Sequence, residues 1–401
     1  MKIGVILEGK NPPDKRVPFT PKQCQFIQET YPNIDLVVQK SPIRAFSDAE
    51  YESAGIKMVD DLKDRDVIFG VKEVNINDLL EHKMYFFFSH TIKEQPYNRK
   101  LLAALVEKNI QMVDYECLTR RSGGRLVGFG RYAGIVGCYN AFLTYGKRTQ
   151  AYELKPAHLC EDREEMEGQL PKIKLPKNYK IALTGLGRVA KGAIEILSKM
   201  GIQKVSSNSF LNKEFDYPVY TQLSVEHYFK KKNDEDFTRR EVFNHPELFK
   251  SDFFKYAAVS DMYIPCHYWD SDGPFIFTKE EMKRPEFKIR TIADISCDID
   301  GPIPSTIRPS TIAEPIYHYH IDSGVETSEI SDRTISVMAV DNLPCELSKD
   351  ASEDFGNELL EKVIPVLIGK DPTQIIQRAS ITKNGDLTPD YDYLRDYLEG
   401  K

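Results

Sequence analysis

Two basic side chains stand where short apolar runs end. Lys72 follows DVIFG (66–70) within Gly-Val-Lys-Glu-Val, and His90 follows YFFFS (85–89) within Ser-His-Thr-Ile-Lys-Glu-Gln. If both runs are strands, both groups lie at the carboxyl ends, the edge at which open α/β sheets place ligands. A lysine beside an imidazole is an acid/base pair of the kind imine chemistry needs. Alone, each has a plainer explanation, a solvated lysine and a structural histidine; two on neighbouring strands strengthen the chemical reading. Arg16, in Asp-Lys-Arg-Val-Pro-Phe-Thr-Pro, follows the first apolar run. Its planar guanidinium suits a substrate carboxylate with two parallel hydrogen bonds, the alternative being a surface pair with Asp14. Asp114 and Glu116, at the end of QMVD (111–114), are placed to tune the lysine or histidine, or are loop carboxylates. His318 and His320 alternate within Tyr-His-Tyr-His and would share one strand face. No third ligand stands at a metal-binding spacing, so no metal is expected.

A second constellation lies further along. Gly185-Leu186-Gly187-Arg188-Val189-Ala190 fits G-x-G-x-x-G/A between the strand-like KIALT (180–184) and a helical stretch, 188–199. Gly185 permits the tight turn, Gly187 lets backbone N–H groups approach a pyrophosphate, and Ala190 lets the helix pack closely. The helix N-terminus favours the anion. The acidic residue expected about twenty positions on, for the ribose of NAD, is missing. That region reads Lys204-Val205-Ser206-Ser207-Asn208-Ser209. Ser207 and its small polar neighbours, with Lys204 and Arg188 nearby, would admit a 2′-phosphate, which favours NADP(H) modestly over NAD(H).

The elements that must position these groups alternate. Apolar runs at 2–7, 66–70, 85–89 and 111–114 read as buried strands, and 98–108 has apolar residues at helical spacing. Strand–helix alternation predicts parallel sheets, hence an α/β fold. A long helix is expected at 134–147. Strands follow at 180–184, 257–264, 290–295 and 334–340, with helices at 188–199 and 349–367. A polar, aromatic-rich insertion at about 212–255 has no legible role.

Composition narrows the class. The chain has 401 residues, 41% apolar and 29% charged, enough for two globular domains. No run of eighteen apolar residues would span a membrane, and the N-terminus has no secretory h-region. Seven scattered cysteines without a CxxC pair imply a reducing compartment, expected to be the cytoplasm. A net charge of −7 argues against nucleic acid as partner.

These residues together resemble a known family. The matching segments are KRVPFTP (15–21), GVKEV (70–74), FFSHTIKEQ (87–95), VDYE (113–116), GFGRYAGIVG (128–137), TGLGRVAKGA (184–193), ADISCDIDGPI (293–303), DNLPCELSKDASEDFG (341–356) and ITKNGDL (381–387). The chain resembles the lysine–2-oxoglutarate reductase half of bifunctional aminoadipic semialdehyde synthases. It is similar, more distantly, to lysine-forming saccharopine dehydrogenases and to the alanine dehydrogenase/transhydrogenase superfamily. The resemblance implies two Rossmann-like domains with an active-site cleft between them. Residues 1–130 and 335–401 would form a discontinuous substrate and catalytic domain, and 131–334 the dinucleotide-binding domain. The helices near 134–147 and 349–367 would form the hinge.

It further implies Lys72 as general base and His90 as general acid. Arg16, Lys93, Gln95 and Phe129 would contact substrate, with Glu116 tuning Lys72. Gly185, Leu186, Gly187, Arg188, Val189, Cys266, Tyr268 and Asp294 would face the cofactor. The substrates implied are L-lysine, 2-oxoglutarate and saccharopine. The glutamate-forming half is not part of this chain, which would supply one reaction. An alanine- or opine-type dehydrogenase using another amine, or a dinucleotide-binding protein without catalysis, stays open. So do the direction and the assembly, a homodimer being the form considered.

Overall fold

The first third alternates strand and helix. In the computed structural model, which describes residues 1–9 and 13–401, its strands are β1 (Lys2–Val5), β2 (Asp35–Gln39), β3 (Lys57–Val59), β4 (Val67–Phe69), β5 (Met84–Phe87) and β6 (Gln111–Asp114). These six are mutually parallel. The inner strands are apolar without alternation because both of their faces are covered. Phe69, Phe86 and Val113 pack on one side with Phe19 and Phe355. Ile68, Tyr85, Phe87 and Met112 pack on the other with Leu105 of the helix Arg99–Glu107.

The next stretch builds a second sheet from β7 (Lys180–Thr184), β8 (Gln203–Lys204), β9 (Val219–Leu223), β12 (Met262–Pro265), β13 (Thr291–Ala293), β14 (Ile316–His320), β15 (Glu326–Thr327) and β16 (Thr334–Met338), with β10 (Phe229–Lys231) and β11 (Phe249–Ser251) as a separate hairpin. Its order is β15-β14-β16-β13-β12-β7-β9-β8, parallel from β16 to β8. The chain then returns to the first sheet. β17 (Ser380–Lys383) pairs antiparallel with β6, and β18 (Asp386–Leu387) folds back on it. Asn384 and Gly385 make that turn at φ +54° and +76°, the backbone that Asn-Gly hairpins favour. Among the described residues the first sheet reads β18-β17-β6-β5-β4-β1-β2-β3. Both units are thus Rossmann-like α/β layers.

The chain divides into Met1–Phe129 with Ser348–Lys401, and Gly130–Leu347. The return falls at Ser348 rather than 335, because β16 is an inner strand of the second sheet, paired with β13 and β14. The expected strand over 257–264 is also shorter: Phe254–Ala257 is helical and only Met262–Pro265 is extended. The illegible insertion contains β9, which lies directly against β7. The expected helix over 349–367 runs Ser348–Lys362 and then Ile364–Ile368, interrupted before Pro365, which has no N–H to continue the ladder. The helices Gly130–Thr149 and Arg188–Lys199 approach at backbone distance. A Cβ on Gly134 would lie 1.9 Å from the Val189 carbonyl oxygen, and one on Gly192 1.9 Å from that of Arg131. No helix among the described residues is long and apolar enough to cross a membrane, and all seven cysteines are free.

Candidate active site

Because β1, β4, β5 and β6 are adjacent and parallel, the residues following them share one edge of the first sheet. Glu8 lies beyond β1, Lys72 and Glu73 beyond β4, and His90 beyond β5. Glu8 is buried and accepts the N–H of Val71 at 2.6 Å and of Lys72 at 2.9 Å, so it shapes the loop carrying the lysine. Burial raises its carboxyl to about 8, Asp14 adds to the rise, and the Lys72 N–H opposes it. His90 Nδ1 meets Glu73 Oε1 at 2.5 Å. With a carboxylate on Nδ1, that nitrogen carries the proton and Nε2 is the position that can exchange one. Glu8, Lys72 and Glu73 line a cavity of about 330 Å³ together with Gln39, Asn75 and Asp78.

His90 sits at φ +54°, a left-handed backbone uncommon for a non-glycine residue. The buried Asp114 holds it there indirectly. Its Oδ2 accepts the Ser89 N–H at 2.9 Å and the Ser89 hydroxyl at 2.5 Å, while its Oδ1 accepts the Glu116 N–H at 2.7 Å. Desolvation raises the Asp114 carboxyl despite these bonds.

Arg16 is paired with Asp14 as the plainer reading had it, but in the interior rather than at the surface. Its Nε reaches Asp14 Oδ1 at 3.0 Å and its Nη2 reaches Oδ2 at 2.6 Å, both side chains being almost wholly buried. Burial opposes the Asp14 charge, yet Arg16 and then Lys72 hold its carboxyl well below the usual range. The guanidinium carbon lies 4.2 Å from the centre of the Phe129 ring, which stacks on Phe355 at 4.4 Å. One prong of Arg16 is therefore engaged by Asp14 instead of being presented to solvent. Glu116 bonds Arg125 Nη2 at 2.9 Å and stands 3.9 Å from Lys93 Nζ; its Oε2 is buried without a protein partner. Arg125 and Lys93 are cations that pair with Glu116. Gln95 is exposed and its carbonyl accepts the Tyr397 hydroxyl at 2.5 Å.

In the second unit the fingerprint turn has the expected form. Gly185 has φ +103°, and a Cβ there would lie 2.4 Å from the Cys266 carbonyl oxygen, so only glycine fits. Gly187 faces open space and caps the helix Arg188–Lys199. Leu186 is exposed and Ala190 fully buried. These features fit a dinucleotide pyrophosphate approaching the helix start.

Around that turn the structure shows where the other expected residues stand. Ser207 follows β8, the outer strand, and belongs to a short helix capped by Ser206. The strand beside β7 is β9, and the segment following it carries Ser224 and Glu226. Glu226 pairs with Arg239 at 3.0 Å. Asp294 is fully buried with both oxygens used internally. Oδ1 accepts from the Ser296 hydroxyl at 2.6 Å and Oδ2 from the Thr306 hydroxyl at 2.7 Å, so it shapes its loop. The Tyr268 side chain, by contrast, is exposed.

Sequence reasoning missed Glu8, Glu73, His267 and Glu226. Glu8 carried the same signal as Lys72, a charged residue just past an apolar run. His267 accepts no such reading, yet its Nδ1 meets the Thr184 hydroxyl at 2.8 Å beside the turn, and burial lowers its ring to about 4. His318 and His320 serve local bonds, to the Ser336 hydroxyl and the Ser323 N–H.

Comparison with known proteins places this arrangement. Residues 4–136 match the alanine dehydrogenase/PNT N-terminal domain family. The mitochondrial alpha-aminoadipic semialdehyde synthase of Mus musculus is 29% identical over 444 aligned residues, covering 98% of this chain and 47% of that protein. The chain thus spans about half the length of the synthases it matches. The NAD(+), L-lysine-forming saccharopine dehydrogenase of Neurospora crassa is 24% identical, covering 82% of each chain. Among solved structures, an L-alanine dehydrogenase covers 99% of this chain and all of its own at a TM-score of 0.64 and 15% identity. The transhydrogenase from Sinorhizobium meliloti covers 96% of this chain and 98% of its own at a TM-score of 0.56 and 14% identity, which bears on fold alone. The chain resembles the saccharopine dehydrogenase (L-lysine-forming) family, and its residues 4–136 match the alanine dehydrogenase/PNT N-terminal domain family.

Proposed function

We propose that this protein is an oxidoreductase that joins L-lysine to 2-oxoglutarate by reductive amination, giving saccharopine, or runs the reverse oxidation. The observation that carries the reading is the set Lys72, Glu73 and His90 on the shared carboxyl edge of β4 and β5, in a chain that also carries the fingerprint turn after β7. Forming the imine requires a neutral amine, so a base must take a proton from the lysine ε-ammonium. Lys72 is assigned that step. The amine nitrogen attacks C2 of 2-oxoglutarate, the keto oxygen leaves as water, and that oxygen needs a proton. His90, held by Glu73, is assigned as its donor. A bound nicotinamide dinucleotide supplies the hydride that reduces C2.

Glu8 is assigned to positioning, since it bonds the backbone of Val71 and Lys72. Arg16, Lys93, Gln95 and Phe129 remain the proposed substrate contacts, with Arg16 oriented by Asp14. Against the NADP(H) preference expected from Ser206–Ser209 stands Glu226, which follows the strand next to β7. A carboxylate there accepts the ribose hydroxyls and repels a 2′-phosphate, so NAD(H) is the proposed cofactor. The free thiols fit a reducing compartment.

The test is oxidation of NADH and NADPH with 2-oxoglutarate and a panel of amines. Turnover with lysine, with saccharopine as product, is the expected result. Turnover with ammonia and pyruvate but not with lysine would instead make the protein an alanine dehydrogenase. Dinucleotide binding without turnover on any amine would leave a binding protein.

A further inference from the structure

The fingerprint turn occupies the carboxyl edge of the second sheet. At the opposite edge, where β7, β12, β13 and β16 begin, lies a cavity of about 360 Å³. Arg148 enters it from the helix Gly130–Thr149, and Arg290 from the segment just before β13. Both guanidiniums are held by neutral acceptors. Arg148 donates to the Ser331 carbonyl at 2.7 Å and the Ser336 hydroxyl at 3.2 Å. Arg290 donates to the carbonyls of Phe287 and Ile289 at 2.8 and 2.9 Å.

The lining is unbalanced in charge. Lys177 and Lys288 join the two arginines, against Asp261 and Asp332. Four cations and two carboxylates leave two positive charges. Asp261 is already taken, by Lys288 at 3.0 Å and by the Lys180 N–H at 2.8 Å. Asp332 acts on both arginines through space. Burial, and then the nearness of Arg290, lowers the Arg148 guanidinium from its ordinary range, and burial does the same to Arg290. Two half-buried guanidiniums short of a counter-charge are costly unless an anion joins them. Tyr179 supplies an independent sign of a ligand. Its side chain is 5% exposed, and its hydroxyl, near the side chains of Thr291, Asp261, Tyr145 and Tyr152, makes no hydrogen bond of good geometry.

We propose that this cavity binds a small doubly charged oxyanion, gripped by Arg148 and Arg290 and hydrogen-bonded by the Tyr179 hydroxyl. A phosphate and a dicarboxylate share that chemistry. The assignment stands apart from the reaction proposed above, since none of these residues belongs to the first unit or to the fingerprint turn.

Isothermal titration calorimetry on the full chain tests it, with sodium phosphate and sodium succinate in separate arms and sodium chloride at matched ionic strength as control. The expected result is saturable binding of at least one of the two oxyanions, and whichever binds names the class. Arg148→Gln and Arg290→Gln should weaken it at least tenfold. Tyr179→Phe and Lys177→Gln, which leave the fold alone, should weaken it measurably. Lys72→Met should leave it unchanged, which separates this cavity from a dicarboxylate site in the first unit. Heats no larger than those with chloride would overturn the proposal. So would binding that is equal in Tyr179→Phe, Lys177→Gln and the parent, or binding abolished by Lys72→Met.

Discussion

At the scale of single residues, the candidate site separates groups that exchange protons from groups that hold them in place. Lys72→Met and His90→Gln each remove one proposed proton carrier, and each should cut turnover by roughly 10²–10⁴-fold, the usual span for one general acid or base. Dinucleotide binding, measured by fluorescence titration, should persist, because the fingerprint turn lies in the other unit. Turnover of both variants within about threefold of the parent would remove the assignment. Glu8 makes a prediction about stability. The folded state keeps its proton up to about pH 8, whereas an unfolded carboxyl releases it near 4.5. Between those values the folded state binds the extra proton, so Glu8 makes the protein less stable as the pH rises through that window and adds no further slope above it. The slope it contributes is at most about 1.4 kcal/mol per pH unit. Glu8→Gln cannot titrate, so denaturant melts between pH 5 and 8 should show a flatter profile than the parent. An unchanged profile would mean that Glu8 is ionised in the fold.

At the scale of elements, the order of strands decides what stands beside what. β8 precedes β9 in the chain but lies outside it in the sheet. The loop after β8 is therefore one strand removed from the fingerprint turn, and the loop after β9 takes its place, bringing Glu226 and Arg239. Glu226→Ala should raise the ratio of kcat/KM for NADPH over NADH by at least tenfold, since it removes the charge that repels a 2′-phosphate. Steady-state kinetics with both dinucleotides gives the ratio directly, and an unchanged ratio would place the ribose elsewhere. The helix pair Gly130–Thr149 and Arg188–Lys199 shows a similar dependence on neighbours. Gly134 and Gly192 read in sequence as ordinary helix glycines, yet each sits against a backbone carbonyl.

At the scale of the whole molecule, one unit is continuous in sequence and the other is not. Gly130–Leu347 holds its own sheet and its own core. Met1–Phe129 lacks the helix Ser348–Lys362, whose Phe355 and Leu359 complete its core, and lacks β17, which covers β6. Expressed as fragments, 130–347 should fold, melt cooperatively and bind dinucleotide, while 1–129 should show no cooperative transition by circular dichroism. Joining 1–129 to 348–401 by a flexible linker should restore one. Cooperative melting of 1–129 alone would show that the returning segment is dispensable.

Much of this was legible in the residues. Inner strands buried on both faces leave unbroken apolar runs, so β1, β4, β5, β6 and β7 stood out, as did the charged residues following them. The fingerprint turn was legible because its glycines answer local backbone demands, φ +103° at Gly185 and open space at Gly187. What only the tertiary structure decided was adjacency. β9 hid in a polar insertion, the pair of Asp14 with Arg16 lies in the interior rather than at the surface, and the return to the first unit seemed to begin a strand too early. Each of these depends on a partner distant in sequence. Local pattern reports which face of an element is buried, and pairing between distant segments determines what buries it.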